Sequence, residues 1–67
     1  MIGRSEWKYE PLVMGTFVNE YGYRIVTLNL WPGATLDVTM TEQGIGVDQA
    51  KEAAIALGAN IMRLVRG

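Results

Sequence analysis

The stretch EAAIALGANIMRLVRG, residues 52–67, decides the architecture of this chain, because Gly58 stands in the middle of what reads as one amphipathic helix. From Val47 the apolar period is helical: Val47, Ala50, Ala54 and Leu57 fall on one stripe, and Asp48, Lys51 and Glu52 lie opposite. Continued, that stripe runs on through Ile61 and Leu64. A mid-helix glycine costs about 1 kcal/mol relative to alanine, however, and glycine is the commonest residue at the left-handed position just past a helix end. The segment Ile61-Met62-Arg63-Leu64-Val65 also contains β-branched residues that suit a strand. The reading adopted is a helix over 47–57, stopped by Gly58, and a further strand over 60–66.

Upstream, PLVMGTFVNEYGYRIVTLNL consists of two β-rich runs on either side of Asn19-Glu20-Tyr21-Gly22. Asparagine opens a type I turn well, and glycine in the fourth place suits the left-handed residue of a bulge, so the pattern predicts a hairpin. With Gly22 in that role, Val18 lies opposite Arg24, Thr16 opposite Val26, Met14 opposite Leu28 and Leu12 opposite Leu30. Leu12, Met14, Val26, Leu28 and Leu30 then share a core face. The second face receives Val13, Gly15, Phe17, Ile25, Thr27 and Asn29, with Tyr23 and Trp31 continuing it at the strand ends.

Trp31-Pro32-Gly33-Ala34 ends the second strand, since proline cannot donate to a ladder and the glycine readily takes positive φ. Thr35 to Thr41 alternates polar and apolar, placing Leu36, Val38 and Met40 inward on a third antiparallel strand. The expected domain is therefore α+β, order β-β-β-α-β, with one helix on one face of a mainly antiparallel sheet. The segment ALGANIMRLV, Ala56 to Val65, resembles the helix-to-strand junction A-x-L-G-A-N that recurs in many α/β proteins, including the YbjQ family; that resemblance implies a strand after Gly58 and no function. One helix covers one sheet face only. An unbroken helix would cover more of the core and still leave the other face open.

A chain of 67 residues with 49% hydrophobic residues fits one domain over 1–67, with 1–8 read as a flexible or edge-packed N-terminal segment. At this size folding buries only roughly 60% of the unfolded chain's surface, so stability is scarce. Small domains commonly add disulfides, metals or oligomerisation. The chain has no Cys and no His, which removes disulfides and the commonest zinc ligands. Oligomerisation remains, and a homodimer is expected. A net charge of −1 gives no general field for nucleic acid or anionic membranes. No stretch approaches the roughly 20 apolar residues of a membrane span, and the expected location is cytoplasmic.

Without His or Cys, catalysis would have to come from carboxylates, Lys8, Lys51, tyrosines or hydroxyls. Asp37 with Glu42 is the one conceivable carboxylate pair, and their spacing does not force them together. The acids show no calcium-loop spacing. Gly44-Ile45-Gly46 before a helix is similar to an anion-binding helix start, but it lacks the P-loop lysine and the third glycine of the dinucleotide fold. Neither enzyme activity, metal nor cofactor is therefore expected.

Two binding classes remain, beside small-ligand binding at a subunit interface. Aromatic residues on a sheet can stack bases while Arg and Lys contact phosphates, and Tyr9, Tyr23, Trp31, Lys8, Arg24, Arg63 and Arg66 are the candidates if the last strand lies beside the hairpin. Three strands with one helix are similar to integrase arm-binding and AP2 domains, which read DNA but are plainly basic, unlike this chain. Aromatic residues, Met and Arg are also the types enriched at protein interface centres. On that reading Val13, Phe17, Tyr23, Arg24, Ile25 and Trp31 form a self-interface or partner interface. Leu30-Trp31-Pro32-Gly33 before an Ala-rich helix resembles HicB-like antitoxins, at a longer interval here, and no function is carried across. The leading expectation is a non-enzymatic regulator or inhibitor that self-associates through the uncovered sheet face or an edge strand and binds a host or defence protein, a form typical of small free-standing phage and mobile-element proteins.

Overall fold

The computed structural model describes residues 10–66. Three strands, β1 (Leu12–Val18), β2 (Tyr23–Trp31) and β3 (Ala34–Gln43), form an antiparallel sheet in the order β1-β2-β3, followed by one helix, α1 (Val47–Arg66). The α+β class and the three-strand, one-helix sequence follow the expectation. The fourth strand over 60–66 does not exist: those residues belong to α1.

The hairpins form where turn chemistry asks for them. Asn19 accepts hydrogen bonds on Oδ1 from the backbone N–H of Tyr21 (2.9 Å) and of Tyr23 (3.0 Å). Its own N–H donates to the carbonyl of Tyr23, and its carbonyl accepts from Gly22 N–H. Gly22 takes φ 87°, the conformation open at no steric cost only to glycine. Gln43, at the end of β3, donates from Nε2 to the Tyr21 carbonyl at 2.6 Å and ties the tip to the opposite edge of the sheet. At the second hairpin Trp31 pairs with Ala34 across Pro32-Gly33, and Gly33 has φ 86°, as a type II turn requires.

The register matches expectation near the tip and departs from it further on. Val18 pairs with Arg24 and Thr16 with Val26, but a bulge between Val13 and Gly15 then sets Val13, in place of Met14, opposite Leu28. Everything beyond the bulge changes face. Val13 packs against the core, whereas Leu12 and Met14, expected inside, are 67% and 59% exposed. The core itself consists of Val26, Leu28, Val38, Met40, Ala50 and Ala54, with Leu30, Leu36, Ile45 and Ile55 packed around it.

Gly58 lies inside α1 and is not among the positive-φ glycines, which are Gly22, Gly33 and Gly44. Its role is proximity. A Cβ there would stand 2.8 Å from Cγ of Pro11 and 2.9 Å from Cδ1 of Leu28, so no other residue allows the helix to approach the sheet so closely. Ala50, Ala54, Gly58 and Met62 are the buried positions of α1, a row at i, i+4, i+8 and i+12 whose first three members are small. The helix is thus rotated from the expected stripe: Ile55 packs on the core and Lys51 is half-buried, while Val47 and Leu57 are 39% and 45% exposed. Its 20 residues span about 30 Å, close to the length of β2, over which it mainly packs.

Candidate functional site: the outer sheet face and the β1 edge

Because α1 occupies the face carrying Val26 and Leu28, the alternate residues of each strand point away from it. Cross-strand rows on this outer face are Phe17–Ile25–Thr39, Gly15–Thr27–Asp37 and Leu12–Asn29–Thr35. The face is therefore divided. Its β3 side is hydroxyl-rich and exposed, and its β1 side near the tip is apolar, with Phe17 52% exposed beside half-buried Ile25 and Tyr23. Adjacent to Ile25, an open hollow of about 350 Å³ is lined by Tyr23, Thr39, Met40 and Thr41. It forms where β3 slips against β2, between the pairs Tyr23–Gln43 and Ile25–Thr39.

Among the described residues β1 is also an edge strand, and an unguarded one. Edges are usually blunted by charge, proline or bulges, yet Leu12-Val13-Met14-Gly15-Thr16-Phe17-Val18 contains no charged residue and no proline, and its bulge lies toward the far end. Leu12, Met14, Phe17 and Val18 are all about half exposed or more. The other edge, β3, carries Asp37 and Glu42. The open backbone groups can be located by alternation. At the tip the Asn19 N–H donates to the Tyr23 carbonyl, so by alternation Phe17–Ile25 is the next hydrogen-bonded pair, and Thr16 and Val18 direct their N–H and C=O groups outward.

The residues singled out from the sequence do not all converge. Phe17, Tyr23 and Ile25 cluster on the outer face. Trp31 lies at the opposite end of β2, about 26 Å from Tyr23 along the strand, beyond a register shift between Asn29 and Trp31 that sets it opposite Ala34, so it does not continue the row of Tyr23 and Ile25. Val13 belongs to the core side. Arg24 is on the helix side too, where Nη1 donates to Thr16 Oγ1 at 3.2 Å and the buried Nε has no hydrogen-bond partner among the described residues. Arg63 is exposed on α1 and donates to Asn60 Oδ1 at 3.1 Å, and Arg66 closes that helix. Lys8 and Tyr9, like the segment 1–8, lie outside the described residues. Hence Arg63 and Arg66 are carried by the helix layer and Tyr23 and Trp31 by the sheet, and the last strand that was to bring them alongside is helix. An edge strand was among the expected interface sites, and which edge was the part left unread from sequence. Its signal, a seven-residue strand without a charge, was present.

No arrangement for chemistry assembles among the described residues. Asp37 and Glu42 are both exposed and five positions apart on an extended strand, about 16 Å, too far to share a proton. Among the described residues no three potential metal-ligating side chains gather, and no helix is long and apolar enough to cross a membrane. At the helix entry the carbonyl of Gly46 accepts from Ala50 N–H, and Asp48 occupies the first turn, where its carboxylate already complements the helix dipole. Comparison with family models, curated proteins and solved structures finds no match for this chain, which leaves its own surfaces as the guide.

Proposed function

We propose that this chain is a non-catalytic protein-binding module whose contact surface is the tip-proximal half of the outer sheet face, centred on Phe17, Ile25 and Tyr23. One observation carries the reading: large apolar side chains stand about half exposed or more along β1, a charge-free strand at the sheet edge of the described residues. Exposed aromatic and aliphatic anchors, with a hollow beside them for a partner side chain, are what interface centres use. A regulator or inhibitor acting on a host or defence protein is the specific form proposed, supported by the small size of the domain and by the lack of assembled chemistry among its described residues.

The test is cross-linked capture from the source cells with wild type and two outer-face variants, Ile25→Glu and Phe17→Glu. Both variants should keep the wild-type circular dichroism spectrum, because neither side chain belongs to the core. A specific protein captured by wild type and lost with both variants is the expected result. Recovery of the same protein by both variants would refute this surface.

A further inference from the structure

We propose that the occupant of the β1 edge is a second copy of this chain, paired antiparallel about a two-fold axis that passes beside Phe17, so that two three-stranded sheets become one of six strands. This rests on the binding-module reading and deepens it, because the outer faces of the two copies then merge into one contact surface.

The open backbone groups are self-complementary in this arrangement. Thr16 and Val18 each present an outward N–H and C=O, and antiparallel pairing sets Thr16 opposite Val18 of the other copy and Val18 opposite its Thr16. Four backbone hydrogen bonds close between groups that have no partner among the described residues of one copy. Phe17 then meets its own counterpart in a non-hydrogen-bonded pair, where side chains approach closest. Both rings sit on the outer face, and the row runs Ile25–Phe17–Phe17–Ile25 across the axis. Gly15 flanks that row, and nothing lies within 4 Å of where its Cβ would stand, which leaves space for the rings. Charge selects the edge: two β1 strands bring no like charges together, whereas pairing two β3 strands would bring copies of Asp37 and Glu42 onto one edge. The bulge at Met14 limits pairing to residues 15–19, so the dimer is expected to be weak and concentration-dependent.

Sedimentation equilibrium of the full chain up to about 500 µM should show a monomer–dimer equilibrium. Val18→Pro blocks an outward N–H without touching a bond inside the sheet, and it should give a folded monomer that keeps Phe17 and Ile25 in place. Should that variant unfold, residue 17 supplies an independent test. Phe17→Glu and Phe17→Lys should each be monomeric, and mixing them in equal amounts should restore dimer, because residue 17 faces itself across the axis. A wild-type monomer at the highest concentration, a Val18→Pro dimer as strong as wild type, or a mixture that stays monomeric would overturn the proposal. Its failure is separable from that of the module reading: a monomer that still captures a protein lost with Ile25→Glu removes the dimer and keeps the module.

Discussion

Replacing Gly58 by alanine sets two effects of known size against each other, and the structure decides between them. In a helix that merely passes through a glycine, alanine is better by about 1 kcal/mol, because it restricts the unfolded chain and fits the helical backbone. At Gly58 the new methyl would lie 2.8 Å from Cγ of Pro11 and 2.9 Å from Cδ1 of Leu28, with Cβ of Pro11 at 3.4 Å. Neither near neighbour yields cheaply. Pro11 is a buried ring, and Leu28 is fully buried at the centre of the sheet, so its methyl has no empty volume to enter. Overpacking of this kind typically costs about 1–3 kcal/mol. The expected net is a loss of about 1 kcal/mol, the reverse of the propensity gain. Urea unfolding followed by far-UV circular dichroism measures it, with Ala53→Gly as the control at an exposed helical site, expected to lose about 1 kcal/mol through propensity alone. Leu28→Val should relieve part of the clash, so the double variant should be more stable than the sum of the two single losses by about 0.5 kcal/mol or more. If Gly58→Ala is more stable than wild type, the helix does not sit this close to the sheet and the account of Gly58 fails.

Further substitutions test the register and the faces. Val26→Glu should unfold the domain, because it buries an unpaired charge in the core, while Ile25→Glu one position away should shift the urea midpoint only slightly; equal effects would mean that β2 is turned the other way. On α1, Leu57→Glu should be tolerated and Ile55→Glu should not, which denaturation of the two variants checks directly; the opposite order would restore the stripe read from sequence. Asn19→Ala removes the acceptor for Tyr21 and Tyr23 N–H at the hairpin tip and should cost about 1 kcal/mol, read as a lower midpoint with an unchanged m-value. Gel-shift assays with single-stranded and double-stranded DNA and RNA at low salt should show no binding; affinity that falls steeply with added salt would instead establish a phosphate-contacting surface.

The features legible in the sequence are those that local chemistry dictates. Asn19 and Gly22 define a turn by hydrogen bonding and φ, and alternation from Thr35 to Thr41 marks a strand with one wet side. Both features act over a few residues. The bulge at Met14 was not legible, because nothing in Leu12-Val13-Met14-Gly15 shows which residue goes unpaired, and a slip of one reverses every side chain beyond it. That slip is why Val13 was assigned to the outer face. Gly58 failed for a related reason. Its propensity argued for a stop, while its real constraint is a contact with Pro11 and Leu28, 47 and 30 positions earlier in the chain. The row Ala50, Ala54, Gly58 was the available sign, since small residues at a spacing of four on one helix face point to close approach rather than to termination.

The longer helix changes the grounds for expecting a partner without removing the expectation. A short helix would have left the core short of cover, and binding could then be argued from a deficit in the whole domain. With the longer α1 packed mainly over β2, its buried positions Ala50, Ala54, Gly58 and Met62 cover the inner face, and general scarcity of burial no longer distinguishes one surface from another. What remains is local. A strand that sits at the edge of the described sheet, carries no charge and exposes Leu12, Met14, Phe17 and Val18 combines the features that soluble proteins usually avoid at an edge. The opposite edge of the same sheet follows the usual rule, with Asp37 and Glu42. Because one small sheet treats its two edges differently, the exposure of β1 is better explained by use of that edge than by the size of the domain, which would affect both edges alike.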